Sequence, residues 1–257
     1  MFLDKQRNRK WILIIALVVL AAVALAGCTP TTTTTTTEDM KQGGFWQANV
    51  VYYFSLALDT FAKWFGGEYG LSILLLTIIV RLIILPLTIK QVRSSKAMQA
   101  IQPEIKKLQD KYKNDQQKLQ EETMKLFQKH QVNPLAGCLP LVVQMPIFIA
   151  LYNAIYMNSE IRDHTFLWMQ LGTPDHLFIL PVIAAITTFI QSKMMPTQAT
   201  GPMQVMFFIF PVLIFIMSMQ FPAALPLYWV YSNIFTIVQN YFLYRKGSND
   251  KEVLPAK

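Results

Sequence analysis

Apolar residues fall along this chain in long blocks separated by polar segments. Residues 71–89 read LSILLLTIIVRLIILPLTI, with a single charge, Arg81, near the middle. A helical span needs about 20 apolar residues to cross a hydrocarbon core. Four further blocks follow, at 136–157, 177–192, 203–219 and 227–243. The pattern predicts an all-α membrane protein with five transmembrane helices. Its last three spans are short and suit a locally thinned bilayer.

Between the first two blocks the periodicity changes. Met98, Ile101, Ile105, Leu108 and Tyr112 recur at helical spacing, and Leu119, Met124, Leu126 and Phe127 supply a thinner second stripe. Residues 114–117, Asn-Asp-Gln-Gln, read as a turn with a helix N-cap. Segment 90–132 is therefore expected to form a helical hairpin, with Pro103 kinking its first helix or resetting its start. Upstream, Trp46, Val50, Tyr53, Phe54, Ala57, Leu58, Phe61, Trp64 and Phe65 form another stripe, interrupted by Gln47, Ser55, Asp59 and Lys63. Glycine pairs bound it on both sides. Segment 45–66 reads as an amphipathic helix lying at the membrane interface.

The first 27 residues follow signal-peptide order: Lys5, Arg7, Arg9 and Lys10, then an apolar stretch, then Leu25-Ala26-Gly27-Cys28. This resembles the lipobox of bacterial lipoproteins and makes Cys28 the expected site of lipidation. An uncleaved first span with an incidental cysteine is the alternative. Residues 28–44, rich in threonine, read as a flexible stalk.

Composition sharpens the class. The 257 residues are 53% hydrophobic and only 15% charged, outside the range of soluble domains. The net charge of +8 lies in segments between apolar blocks, so specific nucleic-acid binding is not expected. With the mature N-terminus outside, the cytoplasmic segments hold 15 Lys and Arg and the external ones three, Lys41, Lys63 and Arg162. The C-terminal tail 245–257 is then cytoplasmic. The linker 90–132 carries ten basic and five acidic residues. It is either a solvated positive-inside loop or a docking surface for anionic lipid or a partner.

No block contains Asp or Glu, and His130, His164 and His176 all lie outside the blocks. No metal-ligand spacing, phosphate loop or Ser-His-Asp set is present. Neither an enzyme nor a cofactor is expected. Arg81 stands out instead: a guanidinium at bilayer depth costs at least about 2.5–3.5 kcal/mol and does not deprotonate. It needs a wet cavity, a partner or a thinned bilayer. Neutral polar groups in the blocks, among them Gln144, Gln191 and Tyr228 beside Trp229, are candidates to line such a cavity.

Several motifs occur in order: Thr77-Ile78-Ile79-Val80-Arg81 with Leu85-Pro86-Leu87, Ser94-Ser95-Lys96-Ala97-Met98-Gln99, Asn133-Pro134-Leu135-Ala136-Gly137-Cys138, Gln144-Met145-Pro146, and Phe221-Pro222-Ala223-Ala224 with Leu227-Tyr228-Trp229. Over about residues 70–244 the chain resembles the YidC/Oxa/Alb family of membrane protein insertases, in its short, lipoprotein-type Gram-positive form. The resemblance implies a bacterial plasma-membrane protein with five helices around a hydrophilic groove, open to the cytosol and to lipid and closed outside. Arg81 would be the groove cation, Gln191 and Trp229 would line it, and the hairpin would receive substrate. Nascent membrane proteins and lipids are the implied partners, with the Sec translocon and the ribosome as further candidates. A lipid scramblase or small-solute transporter is the alternative reading, since a groove with one cation also suits phosphate headgroups.

Overall fold

The computed structural model describes residues 36–113, 115–132, 139–194 and 202–246; for residues 139–141, 202–208 and 244–246 it describes the backbone alone. The Cys28 motif, the motif 133–138 and the tail beyond residue 246 lie outside the described residues.

The fold is predominantly helical. A π-helical turn, Gln47–Val51, leads into α1, Tyr52–Trp64. Helix α1 stops where Gly66 and Gly67 take positive φ of 68° and 101°, and Gly67 N donates to Ala62 O at 2.7 Å. That left-handed cap is open to glycine at no steric cost. Helix α2, Tyr69–Ala100, runs 32 residues, about 48 Å at 1.5 Å per residue. It exceeds a hydrocarbon core and continues unbroken into the polar linker. Among the described residues it is the one helix long and apolar enough to cross a membrane on length and composition.

Helix α3, Gln102–Lys111, begins at a break on Ile101, with Pro103 in its first turn. Proline has no N–H to offer the carbonyl four residues back and is favoured in a first turn; α2 runs through Pro86 but breaks two residues before Pro103. Pro103 therefore resets the start. Helix α4, Gln116–Lys129, is capped by Asp115, whose carboxylate accepts from Lys118 N at 3.0 Å. The two helices meet around Ile101, Ile105, Leu126 and Val132. Met124, expected on the inner stripe, is exposed. On the outer face of α4, Lys125 bonds Glu121 at 2.8 Å and Glu122 at 2.7 Å. The bond to Lys125 holds the Glu121 carboxyl below the usual carboxylate range.

Helix α5, Leu139–Met157, is followed by the short α6, Ser159–Asp163, and by strands β1, Thr165–Phe166, and β2, Met169–Gln170, which pair antiparallel. Then come α7, Ile179–Met194, α8, Pro202–Ser218, and α9, Ala224–Lys246. Helix α9 packs on α7 and α2, α7 on α8, and α1 on α2.

Polarity across α7, α8 and α9 is inverted relative to a soluble protein. Ile186, Ile190, Val212, Ile216, Ile234 and Val238 face outward, while Thr188, Ser218, Ser232, Asn233, Thr236, Gln239 and Asn240 are buried. Lipid-facing helices sort residues in this way, because polar side chains find hydrogen bonds only inside the bundle. Asn233 Nδ2 joins α9 to α7 through Thr188 Oγ1 at 2.8 Å and Thr187 Oγ1 at 3.1 Å.

At one end of the bundle β1 and β2 cover the starts of α2 and α9. Phe166 lies directly over Gly70, where a Cβ would collide with its ring. Leu171 O and Thr173 O accept from Ala224 N and Ala223 N at 3.1 and 2.8 Å. Those bonds satisfy amides that a helix N-terminus leaves open.

The segment before α1 departs from the stalk expected over 28–44. From Thr36 onward it is seated against the fold: a 3-10 turn spans Asp39–Gln42, and Met40 is 1% exposed. Thr37 joins a polar cluster in which Asn158 Nδ2 donates to Ser55 Oγ at 2.8 Å and Asp59 Oδ1 at 3.0 Å. Tyr69 OH lies 2.9 Å from Asp59 and 2.8 Å from Glu160. Ser55 and Asp59, which interrupt the apolar stripe of α1, therefore point into protein. The stripe itself divides: Leu58 is buried, whereas Tyr53 and Trp64 are exposed.

Candidate functional site

Arg81 sits twelve residues into α2 and is half-buried. Its partners come from two other helices. Nη2 donates to Gln144 Oε1 on α5 at 3.4 Å and to Ser232 Oγ on α9. Gln144 Nε2 in turn donates to the Tyr228 hydroxyl at 2.6 Å. Tyr228 and Ser232 stand one turn apart on α9. The four side chains form a ring joined by three hydrogen bonds, with donors and acceptors matched at each. Arg81 supplies two N–H, one to Gln144 and one to Ser232, and Gln144 passes one of its own to Tyr228.

Every partner in this ring is neutral. Hydrogen bonds offset part of the desolvation cost of the guanidinium without cancelling its charge. Both bonds also leave from Nη2, so the three N–H groups on Nη1 and Nε have no hydrogen-bonding partner among the described residues. The arrangement presents a positive charge with donors to spare, suited to a carboxylate or another anion.

The structure thus brings Arg81, Gln144 and Tyr228 together. It does not bring Gln191 or Trp229 into the ring. Gln191 is half-buried on α7, one turn beyond the Thr187 and Thr188 hydroxyls that hold Asn233. Trp229 stacks on Phe148 of α5, with ring centroids 5.4 Å apart and planes within 2°, and meets Phe221 at 6.3 Å. Ser232 was not singled out from the sequence. Its signal is the buried polar stripe Ser232, Asn233, Thr236, Gln239 and Asn240, spaced by three and four on one face of α9.

Further toward the C-terminal end of α9, Lys96 Nζ donates to Leu243 O at 3.1 Å. This ties the part of α2 that leads into α3 and α4 to the last turns of α9, where carbonyls lack helical partners.

Comparison with known proteins fits this arrangement. The family model described as 60Kd inner membrane protein matches residues 60–251, which include every helix of the Arg81 ring. The chain belongs to this family. It is 48% identical to the membrane protein insertase MisCA of Bacillus subtilis over 235 residues, 89% of this chain and 88% of that one. It is 44% identical to membrane protein insertase YidC 2 of Listeria innocua over 255 residues, 96% of this chain and 88% of that one. A crystal structure of an active YidC insertase with its first transmembrane domain resolved superposes with a TM-score of 0.62 at 27% identity. The match covers 78% of this chain and 47% of that one, so the chain spans about half the length of the solved protein. Membership of this insertase family makes the chain a bacterial membrane protein that acts in protein transport.

Proposed function

We propose that this chain inserts nascent membrane-protein segments into the bilayer by way of a groove centred on Arg81, without hydrolysing nucleotide. In this reading α2, α5, α7, α8 and α9 are the five spans, with the α1 end outside and α3 and α4 in the cytosol. Cys28 carries a lipid anchor on the outer leaflet. A client with a short acidic tail enters from the cytosolic side, and Arg81 draws the tail inward, strengthened by the low dielectric. The client's apolar residues then partition into lipid, driven by burial at about 25 cal/mol per Å². The segment formed by α3 and α4 receives the client, with the Sec channel and the ribosome as candidate suppliers.

The observation that supports this most is a half-buried arginine whose partners among the described residues are all neutral and whose three remaining N–H donors have none there. A structural arginine at such depth is expected to sit against a carboxylate.

The test is photocrosslinking from Gln191 to a stalled single-span nascent chain in membranes, with Arg81 intact or changed to alanine. The expected result is a client crosslink that weakens in Arg81→Ala together with insertion. Crosslinks to lipid alone, with insertion unchanged, would overturn the reading.

A further inference from the structure

We infer that Ser232 is a positioning residue that latches the Arg81 guanidinium at depth and keeps it from swinging toward water. The inference rests on the Arg81-centred reading above for its link to insertion, but the latch itself is a property of the resting protein.

Long basic side chains in membranes extend toward the nearest aqueous interface, because hydration of the charge outweighs the packing of the stem. Something must oppose that movement for Arg81 to remain in the ring. Gln144 is a weak restraint, at 3.4 Å and thus near the outer limit of a hydrogen bond. It also stands just before Pro146, which takes one backbone bond out of α5.

Ser232 is a firmer one. It is 3% exposed and stands one turn from Tyr228, whose hydroxyl accepts from Gln144 Nε2 at 2.6 Å. Its neighbour Asn233 is bolted to Thr187 and Thr188 of α7. The serine oxygen therefore has little freedom to follow the guanidinium, and the guanidinium stays where the serine is.

Depth matters for selectivity. A carboxylate gains over an amide at Arg81 by Coulomb attraction, and that gain falls as the effective dielectric rises. An arginine released toward water still forms hydrogen bonds but discriminates charge less. Ser232 thereby influences which tails the site favours without itself touching the client.

Two readouts test this on the full-length protein in liposomes. The first is the rate at which phenylglyoxal modifies Arg81, followed by mass spectrometry of its peptide. The second is insertion of one single-span client with an acidic tail and of the same client with each tail Asp changed to Asn. Loss of one hydrogen bond to a charged group predicts that Ser232→Ala raises Arg81 modification about tenfold. The acidic-to-amide insertion ratio should fall about threefold or more by the same weakening of the charge term. Ser232→Thr keeps the hydroxyl and should restore both. Tyr228→Phe removes the acceptor that steadies Gln144 and leaves Ser232 in place, so it should raise the rate less than Ser232→Ala does.

Unchanged Arg81 reactivity in Ser232→Ala overturns the latch. Equal loss of acidic and amide clients in Ser232→Ala, with unchanged reactivity, assigns the serine to packing alone and also overturns it. In Arg81→Ala, an acidic-to-amide ratio equal to that of the parent defeats the proposed function instead, while the modification data still decide the latch.

Discussion

Gln144 Oε1 lies 3.4 Å from Arg81 Nη2, an amide where a carboxylate of the same shape would fit. Glutamate at this position would turn a neutral contact into an ion pair. At an effective dielectric near 20, two unit charges about 4 Å apart gain roughly 4 kcal/mol. A client's acidic tail would have to displace that pair. Gln144→Glu should therefore cut insertion of an acidic-tailed client about tenfold or more, whereas Gln144→Ala, which removes one long bond, should cost about threefold or less. Protease protection of the client's tail in proteoliposomes measures both. Equal losses would contradict the view that uncompensated charge is what the ring preserves.

Charge and fork are separable at Arg81 itself. Lysine keeps the charge but presents a compact ammonium in place of a planar set of five donors. If the site works mainly by attraction, Arg81→Lys retains the larger part of insertion activity and Arg81→Ala retains little. Matching failure of the two variants in the same assay would move the weight to the guanidinium geometry.

The parts of this site legible in the sequence were those with a cost attached. Arg81 announces itself because a charge inside an apolar block needs an explanation, and Gln144 and Tyr228 stand out as polar groups in such blocks. Ser232 escaped because a serine is cheap in a membrane helix, where it can bond its own backbone. Its role depends on α2 and α9 being adjacent, which no local pattern reports. Trp229 is expected from the sequence to line the groove, but its stacking on the Phe148 ring, 81 positions away in the chain, was not legible there. On α1 the helix was legible but its facing was not. Ser55 and Asp59 looked like a wet face, and their partners Thr37, Tyr69 and Asn158 arrive from other segments.

Gly70 is expected to be intolerant of any side chain. A Cβ there would overlap the Phe166 ring, and β1 carries that ring as part of the cover over α2 and α9. Overpacking of this kind costs about 1–3 kcal/mol. Gly70→Ala should lower the melting temperature in detergent, and adding Phe166→Leu should recover more than half of the loss. A double variant no more stable than Gly70→Ala alone would argue that the helix, not the ring contact, requires glycine.

Asn158 does two jobs, and substitution separates them. Its Oδ1 caps α6 by accepting from Glu160 N at 2.9 Å, while Nδ2 donates to Ser55 and Asp59. Asn158→Ala loses the cap, about 1 kcal/mol, and strands buried acceptors at about 1–3 kcal/mol. Asn158→Asp keeps the cap but sets a second carboxylate against Asp59. It should be at least as unstable as alanine at pH 7. Part of that loss should return as the pH falls, because protonating the introduced carboxyl removes the repulsion. Thermal melts of both variants at pH 7 and pH 5 check the sign; an aspartate variant that gains nothing on acidification would rule out the charge clash.

The α3–α4 pair should come apart without the rest of the protein. Its small core is Ile101, Ile105, Leu126 and Val132, with Ala97, Met98, Leu108 and Phe127 around it, and the larger core of the bundle shares none of these residues. Removing a buried leucine costs about 2–5 kcal/mol, and a charge in its place costs more. Leu126→Asp should therefore release α4 from α3 and unwind the backbone beside the already exposed Lys106, Lys107, Lys118 and Lys125, so that trypsin cuts there at rates at least tenfold above the parent. The Lys96 bond to Leu243 O lies outside that core, on α2. Cleavage should then stop before the Arg81 ring, leaving a protected fragment that contains α5 through α9. If insertion by Leu126→Asp falls while Arg81 modification stays at the parental rate, the pair acts on the client before the groove does. A rise in Arg81 reactivity would mean instead that α3 and α4 help to hold the ring closed.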